Sequence, residues 1–403
     1  MGNGDGAVTE RVAQTSGGKI VLLVADGLGG LPHPDTGLTE LETAATPNLD
    51  AVAREGVTGL HVPIAPGITP GSGPAHMALF GYDPVRYEIG RGVLEALGID
   101  FDLKQGDVAV RLNYATIDGN GIITDRRAGR IPTEKCVELS ARLDGIELPG
   151  VQVFTRPVKE HRAVVVLRGD GLAGGLNDTD PQKTGAPRLP FEAQTPAQER
   201  TAGLLTAFLK RADELLRDEP KANAITMRGI AALEPIPTVG ERFGIKAAAI
   251  AGYPMYRGVA GLVGMDVLPK AEAPDAVAGL LREHYGDYDF FFIHYKKTDS
   301  TGEDGDFDRK VAATEEFDTF VPGVLAVDPD VLLVTGDHST PSALASHSWH
   351  PVPVLLRAAS VRRDAAVSFG EGACVTGGLG TVRAVDLMPL MLAHAGRLAK
   401  FGA

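Results

Sequence analysis

The sequence predicts an α/β protein built on a mainly parallel sheet with helices on both faces, carrying a smaller inserted α+β domain. Two observations predict it. Continuous apolar runs alternate with amphipathic stretches along most of the chain, and the stretch 87–235 changes to a one-in, one-out pattern. The first run, KIVLLVAD over 19–26, is apolar without alternation and ends in Asp-Gly, as a strand buried on both faces does. Equivalent runs follow at 246–251, 289–295, 331–336 and 352–357, and helical periodicity falls at 47–56, 72–82, 273–285, 306–321 and 384–395. Within 87–235, DVAVRLNYATID (107–118) and HRAVVVLR (161–168) read as alternating segments, and 195–217 reads as a long amphipathic helix. The organisation expected is therefore a flexible tail over 1–18, an α/β domain from 19–86 and 236–403, and the insertion 87–235 between its two parts.

Composition sets the outer limits. The 403 residues are 44% hydrophobic and 23% charged, a globular balance that rules out wholesale disorder. With 39 Lys+Arg against 52 Asp+Glu the formal charge is −13, which excludes a sequence-independent nucleic-acid binder and argues weakly against an anionic ligand. The two cysteines, Cys136 and Cys374, are too few for a disulfide scaffold or a thiolate metal site. No run reaches the roughly 20 apolar residues of a membrane span. The first 18 residues lack the apolar core of a secretory signal. A soluble, cytoplasmic protein is expected.

Four clusters carry chemistry. ADGLGG (25–30) sets Asp26 at a strand end, GITPGSGPAHM (67–77) puts Ser72 between glycines before a helix, KKTDSTGEDGDF (296–307) contains Asp299 and Glu303, and TGDHSTPSALASHSWHPVP (335–353) supplies Asp337, His338, His347 and His350. Ligands of open α/β sheets gather beyond the carboxyl ends of the strands, where three of these clusters fall. Carboxylates and imidazoles without thiolate form a divalent-metal ligand set, suited to Mn²⁺ first and also to Mg²⁺, Co²⁺ or Zn²⁺. There are enough donors for two ions, and two ions suit phosphoryl transfer with Ser72 as nucleophile. The helix after Ser72 is expected to turn free N–H groups toward a phosphate on that serine. Taken singly, each signal has a plainer reading: Asp26 as a turn or cap, Gly-Ser-Gly as a flexible turn, and His347 and His350 as ordinary histidines beside Trp349. Asp304, Asp306 and Asp308 are read as a solvated helix start.

The order of these motifs resembles the two-metal alkaline phosphatase superfamily, and within it the cofactor-independent phosphoglycerate mutases of the archaeal-type branch. GSGPAHMALFGYDP (71–84), DRRAGRI (125–131), DTDP (178–181), ANAITMRG (222–229) and HPVP (350–353) carry the likeness, which spans about 19–400. The resemblance implies one metal held by Asp26, Ser72, Asp337 and His338, and a second held by Asp299, His347 and position 303. The family pattern has His at that last position where this chain has Glu303. It implies an isomerase of glycolysis and gluconeogenesis that interconverts 3- and 2-phosphoglycerate through a phosphoserine, with an insertion that closes over the substrate.

A substrate bearing phosphate and carboxylate calls for guanidinium forks. Arg126, Arg127, Arg130, Arg168, Arg228, Lys246 and Arg257 are the expected substrate-binding residues, and Asp125 the expected acid/base. DRRAGR reads equally well as a salt-bridged surface turn. GDGLAGGLNDTDP (169–181) reads as a substrate wrap or as a plain glycine-rich loop. The rival readings are a two-metal phosphatase or phosphopentomutase with the same ligands, and a non-catalytic metal- or metabolite-binding protein.

Overall fold

The computed structural model describes residues 5–402. Its strands are β1 (Ile20–Ala25), β2 (Val57–Val62), β3 (Val108–Ile117), β4 (Ile123–Asp125), β5 (Gln152–Lys159), β6 (Arg162–Arg168), β7 (Ala224–Ala232), β8 (Ala247–Ala251), β9 (Asp266–Val267), β10 (Phe290–Tyr295), β11 (Val331–Thr335), β12 (Val352–Ala358) and β13 (Gly380–Arg383). They form two sheets, one in each of two compact units. The first comprises the chain through Glu88 and from Ile236 onward; the second is Ile89–Pro235.

In the first unit eight strands run in the order β13-β2-β12-β11-β1-β10-β8-β9. The central strands β1, β10 and β11 are buried on both faces, which is why they read as unbroken apolar runs. Helices on the flanks supply the covering residues, among them Leu49, Val52, Leu281 and Phe317. All pairings are parallel except those of β12, which runs antiparallel to both β11 and β2. Its apolar run, 352–357, carries no mark of that reversal, because burial on both faces looks the same in either direction. β2, which is mostly buried, and the short, exposed β9 and β13 are strands that sequence patterning did not separate from their surroundings.

The expected mobile tail over 1–18 is corrected over its described part. Asp5–Val12 is helical, Ala13 bridges Leu398, and Glu10 pairs with Arg242 at 2.6 Å. The buried guanidinium of Arg397 donates to the carbonyls of Thr15, Gly17 and Gly18 and to Asp289. These contacts join opposite ends of the chain, so no local pattern announces them. The rest of the tail, residues 1–4, lies outside the described residues. Among the described residues no helix is long and apolar enough to cross a membrane. Both cysteines are free and buried.

In the second unit the order is β4-β3-β6-β5, with β7 on the other side of β3, and every pairing is antiparallel. Alternation divides the sheet's residues. Val110, Leu112, Tyr114, Val165 and Met227 join a core with Leu139 and Leu143 of one helix (Thr133–Asp144) and Leu205 and Phe208 of another (Pro196–Leu216). The latter starts with the Thr195 side chain accepting from Gln198 N and with Pro196 in the first turn. Arg111 and Asn113 of β3 alternate with that core set; Arg228 of β7 sits opposite Arg111, and Arg162 of β6 opposite Asn113. The short helix Arg91–Leu97 approaches β3 and β7 so closely that a Cβ on Gly92 falls 2.1 Å from the Ala109 carbonyl oxygen and 2.7 Å from that of Gly229. Only glycine fits that approach. Gly92→Ala is therefore expected to lower stability by about 1–3 kcal/mol through overpacking against backbone. Urea unfolding checks it, and an unchanged midpoint means the helix shifts freely.

Candidate active site

Three parallel strands of the first unit deliver acidic or imidazole groups at their carboxyl ends. Asp26 follows β1; Asp337 and His338 follow β11; Lys296 and Asp299 follow β10, the latter in the helix Lys297–Glu303. Asp26, Asp299, Asp337 and His338 are all buried. The turn after β1 needs glycine: Gly27 has φ +64°, and a Cβ there would lie 2.5 Å from Thr340 Oγ1 and 2.9 Å from Asp299 Cα. Its amide donates to Asp337 Oδ1 at 3.0 Å. Beneath these loops the buried Lys310 ammonium donates to the carbonyls of Gly27, Gly29 and Thr340 at 2.7–3.0 Å. Burial presses its pKa down, offset in part by Glu40 and Glu371.

Ser72 is the first residue of the helix Ser72–Leu79, and its Oγ lies 3.2 Å from His338 Nε2. Pro74 removes one of the N–H groups the helix start was expected to offer. His338 Nδ1 lies 2.9 Å from Thr340 Oγ1, whose hydroxyl donates to Asp299 Oδ1 at 2.7 Å. With its proton given to Asp299, Thr340 accepts from Nδ1, and His338 Nε2 is turned to the acidic centre. His347 Nδ1 similarly meets the Pro70 carbonyl at 3.0 Å, leaving its Nε2 facing Asp299 at 3.4 Å. The His338 and His347 rings stack at 3.7 Å.

The donors form two trios with atoms within 4.8 Å of one another: Asp26, Asp337 and His338, and Asp299, His338 and His347. Asp26 Oδ1 and Asp337 Oδ2 approach imidazole nitrogens at 3.2–3.3 Å, yet neither has a hydrogen-bond partner. Buried carboxylate oxygens without donors suit a cation, so these residues fit a divalent metal. The electrostatics agree. Burial opposes ionisation of Asp26, but Lys296, His294 and His338 hold its carboxyl well below the usual range. Burial and Asp26 both push Asp337 up, and His338 and His76 more than reverse them. Burial disfavours charge on His338, but Asp337 and Asp26 raise it to about 9.

The second unit has its own polar centre. A cavity of about 400 Å³ is lined by Arg126, Arg127, Arg130 and Arg228, together with Arg111, Asn113, Lys159, Glu160, His161 and Arg162. Asp180 grips Arg126 through two bonds of 2.7 and 2.9 Å, and Asp178 accepts from Arg228 Nε and Gly229 N. The DTDP segment thus orients two arginines. Asp125 spends both oxygens on its own turn, accepting from Arg127 N at 2.8 Å and Gly129 N at 2.7 Å. That turn is strained, since Ala128 and Arg130 hold φ near +50°.

The expected residues therefore separate. Ser72, Asp26, Asp299, Asp337, His338 and His347 come together. Glu303 stands aside: its side chain is 55% exposed and its Oε1 lies 3.7 Å from His347 Nε2, outside both trios. His350 turns to Ser348, and Asp306 caps the helix Phe307–Asp318. Arg168 is tied bidentately to Asp107, Arg257 caps the carbonyls of Ala251 and Leu268, and the Lys246 ammonium lies over the Tyr288 ring. None of these three lines the cavity. Sequence reading passed over Lys296, whose Nζ bridges Asp26 and Asp299 at 3.0 and 2.6 Å, and buried His76 and His294 beside Asp337 and Asp26. It also passed over Arg111, Asn113, Lys159, His161 and Arg162. The alternation of R-L-N inside 107–118 was the available signal for two of them.

Comparison with known proteins bears on the whole chain. The family model described as 2,3-bisphosphoglycerate-independent phosphoglycerate mutase matches residues 53–222. A Thermus thermophilus protein named "Probable 2,3-bisphosphoglycerate-independent phosphoglycerate mutase" is 51% identical over 401 residues, covering 98% of this chain and 99% of its own. An Aquifex aeolicus protein of the same name is 49% identical over 406 residues, covering 98% and 100%. Among solved structures, the cofactor-independent phosphoglycerate mutase of Thermoplasma acidophilum matches with TM-score 0.74 at 29% identity, over 94% of this chain and all of that one. A Pyrococcus horikoshii protein matches at 0.81 and 32% identity, over 96% of this chain and 100% of its own.

Lys310 tests how the strand-end loops are held. Lys310→Met strips three buried carbonyls of their donor and is expected to cost about 3 kcal/mol, read by chemical denaturation. A loss below about 1 kcal/mol would show that the loops keep their positions without it.

Proposed function

The chain belongs to the 2,3-bisphosphoglycerate-independent phosphoglycerate mutase family, and we propose that it interconverts 3-phosphoglycerate and 2-phosphoglycerate through a phosphoserine at Ser72. The observation that carries the serine's role is its Oγ at 3.2 Å from His338 Nε2, beside buried carboxylate oxygens that lack donors. Asp26, Asp337 and His338 would hold one divalent ion, and Asp299 and His347, with His338 between, a second. Mn²⁺ suits this oxygen-and-imidazole set best. Glu303 is proposed as an outer neighbour of His347 and not as a ligand. When bound, such ions neutralise charge on a transferring phosphoryl group and make the serine hydroxyl more acidic.

Ser72 Oγ attacks phosphorus, and the bond from phosphorus to the glycerate oxygen breaks. The freed glycerate presents its other hydroxyl, which takes the phosphoryl group back from the serine. Lys296 bridges Asp26 and Asp299 and offsets part of their charge, and Thr340 fixes which nitrogen of His338 faces the serine. Arg126, Arg127, Arg130 and Arg228 bind the anionic glycerate, with Asp178 and Asp180 holding two of these forks ready. The two buried free thiols accord with a reducing compartment, and the cytoplasm is the proposed location for this step of glycolysis and gluconeogenesis.

Ser72→Ala is expected to abolish mutase activity with an unchanged unfolding midpoint; retained turnover would exclude a phosphoserine. Chelation with EDTA is expected to stop the reaction and added Mn²⁺ to restore it. Full activity after verified metal removal would defeat the metal assignment. Inorganic phosphate release, followed beside an enolase-coupled assay, separates the mutase from a phosphatase. Phosphate appearing without 2-phosphoglycerate supports the latter.

A further inference from the structure

We propose that His161 is the group that gives a proton to the departing glycerate oxygen and takes one from the glycerate hydroxyl that attacks next. The inference rests on the mutase reading above. It begins from what that reaction leaves unassigned: each half-reaction moves a proton at a glycerate oxygen, and Asp125 has both carboxylate oxygens committed to backbone amides.

Among the side chains lining the arginine cavity, His161 alone carries a group whose ordinary titration lies near neutrality. Arginines hold their protons throughout and so bind anions without exchanging protons. His161 is also built into place. It occupies the two-residue turn Glu160–His161 between β5 and β6, and its carbonyl accepts from Tyr114 N at 2.8 Å. Glu160 completes the turn at φ +52°, a conformation that a non-glycine residue holds at a cost. The His161 side chain is nine-tenths buried, and its Nδ1 is buried with no hydrogen-bond partner. Asn113 Oδ1 and Arg162 Nε, on residues that line the same cavity, also lack hydrogen-bond partners, while Arg111 Nε lies 3.9 Å from Glu95 Oε1. Unpaired buried polar atoms on the residues around one cavity suit a polar occupant.

Four charged groups act on the ring: Arg162, Arg127 and Arg111, each a cation, and Glu160, whose Oε2 is 3.9 Å from Nδ1. Burial first, then Arg162, pulls its pKa below the ordinary value, against the opposing pull of Glu160. The empty pocket therefore favours neutral imidazole. An anionic phosphoglycerate cancels the arginine field and favours imidazolium. With Ser72 entering as the alkoxide and leaving as the alkoxide, the imidazolium proton passes to the glycerate oxygen as its bond to phosphorus breaks and the bond from Ser72 Oγ forms. The neutral ring then accepts the proton of the other hydroxyl as that oxygen bonds phosphorus and Ser72 leaves. One proton is given and one taken, so the ring ends as it began.

The test compares His161→Asn and His161→Gln with the wild type from pH 5.5 to 8.5, on the metal-loaded enzyme. Expected is a kcat loss of about 100-fold or more with KM changed only a few-fold. The wild-type fall of kcat/KM with rising pH should flatten in both variants, and added imidazole should restore part of the rate in His161→Ala. Activity within about threefold of wild type and an unaltered pH profile would overturn the proposal. So would a loss of rate with an unaltered profile and no imidazole rescue, which would make His161 a positioning residue. If the variants do not fold, the wild-type profile decides: a kcat/KM independent of pH across this range excludes a titrating imidazole. Ser72→Ala run in parallel separates the two readings, because its retained activity would remove the mutase mechanism whatever His161 does.

Discussion

Buried negative charge at the ends of three parallel strands is the constraint on which the first unit depends. Asp26, Asp299 and Asp337 are taken out of water within one small region, and ionised carboxylates pay heavily for that unless cations stand beside them. The chain supplies part of the compensation itself. Lys296 bridges Asp26 and Asp299, and His338 lies between Asp26 and Asp337 with its pKa lifted to about 9. What these groups do not supply is a donor to Asp26 Oδ1 or Asp337 Oδ2. The scaffolding around them is correspondingly rigid: glycine at the turn, Lys310 pinning three carbonyls, and Thr340 joining His338 to Asp299.

The second unit poses the inverse problem. Several guanidinium groups converge on one cavity, and part of their repulsion is relieved by carboxylates behind them, Asp180 on Arg126 and Asp178 on Arg228. Arg162 keeps a buried Nε without a hydrogen-bond partner, and Arg111 Nε has only Glu95 Oε1, at 3.9 Å. A cavity so arranged gains from a small polyanion for the same reason that the strand ends gain from cations. The buried carboxylates and the clustered arginines are thus held in different sheets. Mixed in one cluster, they would neutralise each other.

Local pattern and spacing made part of this legible. Strands buried on both faces announce themselves, and β1, β8, β10, β11 and β12 lie where the apolar runs lie. The turns bearing Asp26, Asp299 and Asp337 follow because sheets of this kind collect chemistry at their carboxyl ends. What stayed hidden depends on contacts distant in sequence. The antiparallel course of β12, the helix over Asp5–Val12 tied to Arg242 and, through the Val12 carbonyl, to Ala399 N, and the commitment of Arg168 to Asp107 have no local signature. Glu303 shows the limit of motif spacing. Its place in the sequence matches a ligand position, yet the helix Lys297–Glu303 ends there and leaves the side chain half in solvent. Lys296 and His294 were overlooked because a lysine and a strand histidine look ordinary until the carboxylates they face are known.

The formal charge of −13 seemed to weigh against an anionic ligand, and the structure shows why it has little force. Exposed charges are screened over about 8 Å at physiological salt, so a ligand inside a 400 Å³ cavity responds to the groups that line it and hardly to the protein's total. Those groups are Arg111, Arg126, Arg127, Arg130, Lys159, Arg162 and Arg228, opposed by Glu160 alone among the lining carboxylates. The same locality gives His161 its meaning. In a cavity whose field comes from fixed cations, the charge of the occupant decides whether the one imidazole among them carries a proton.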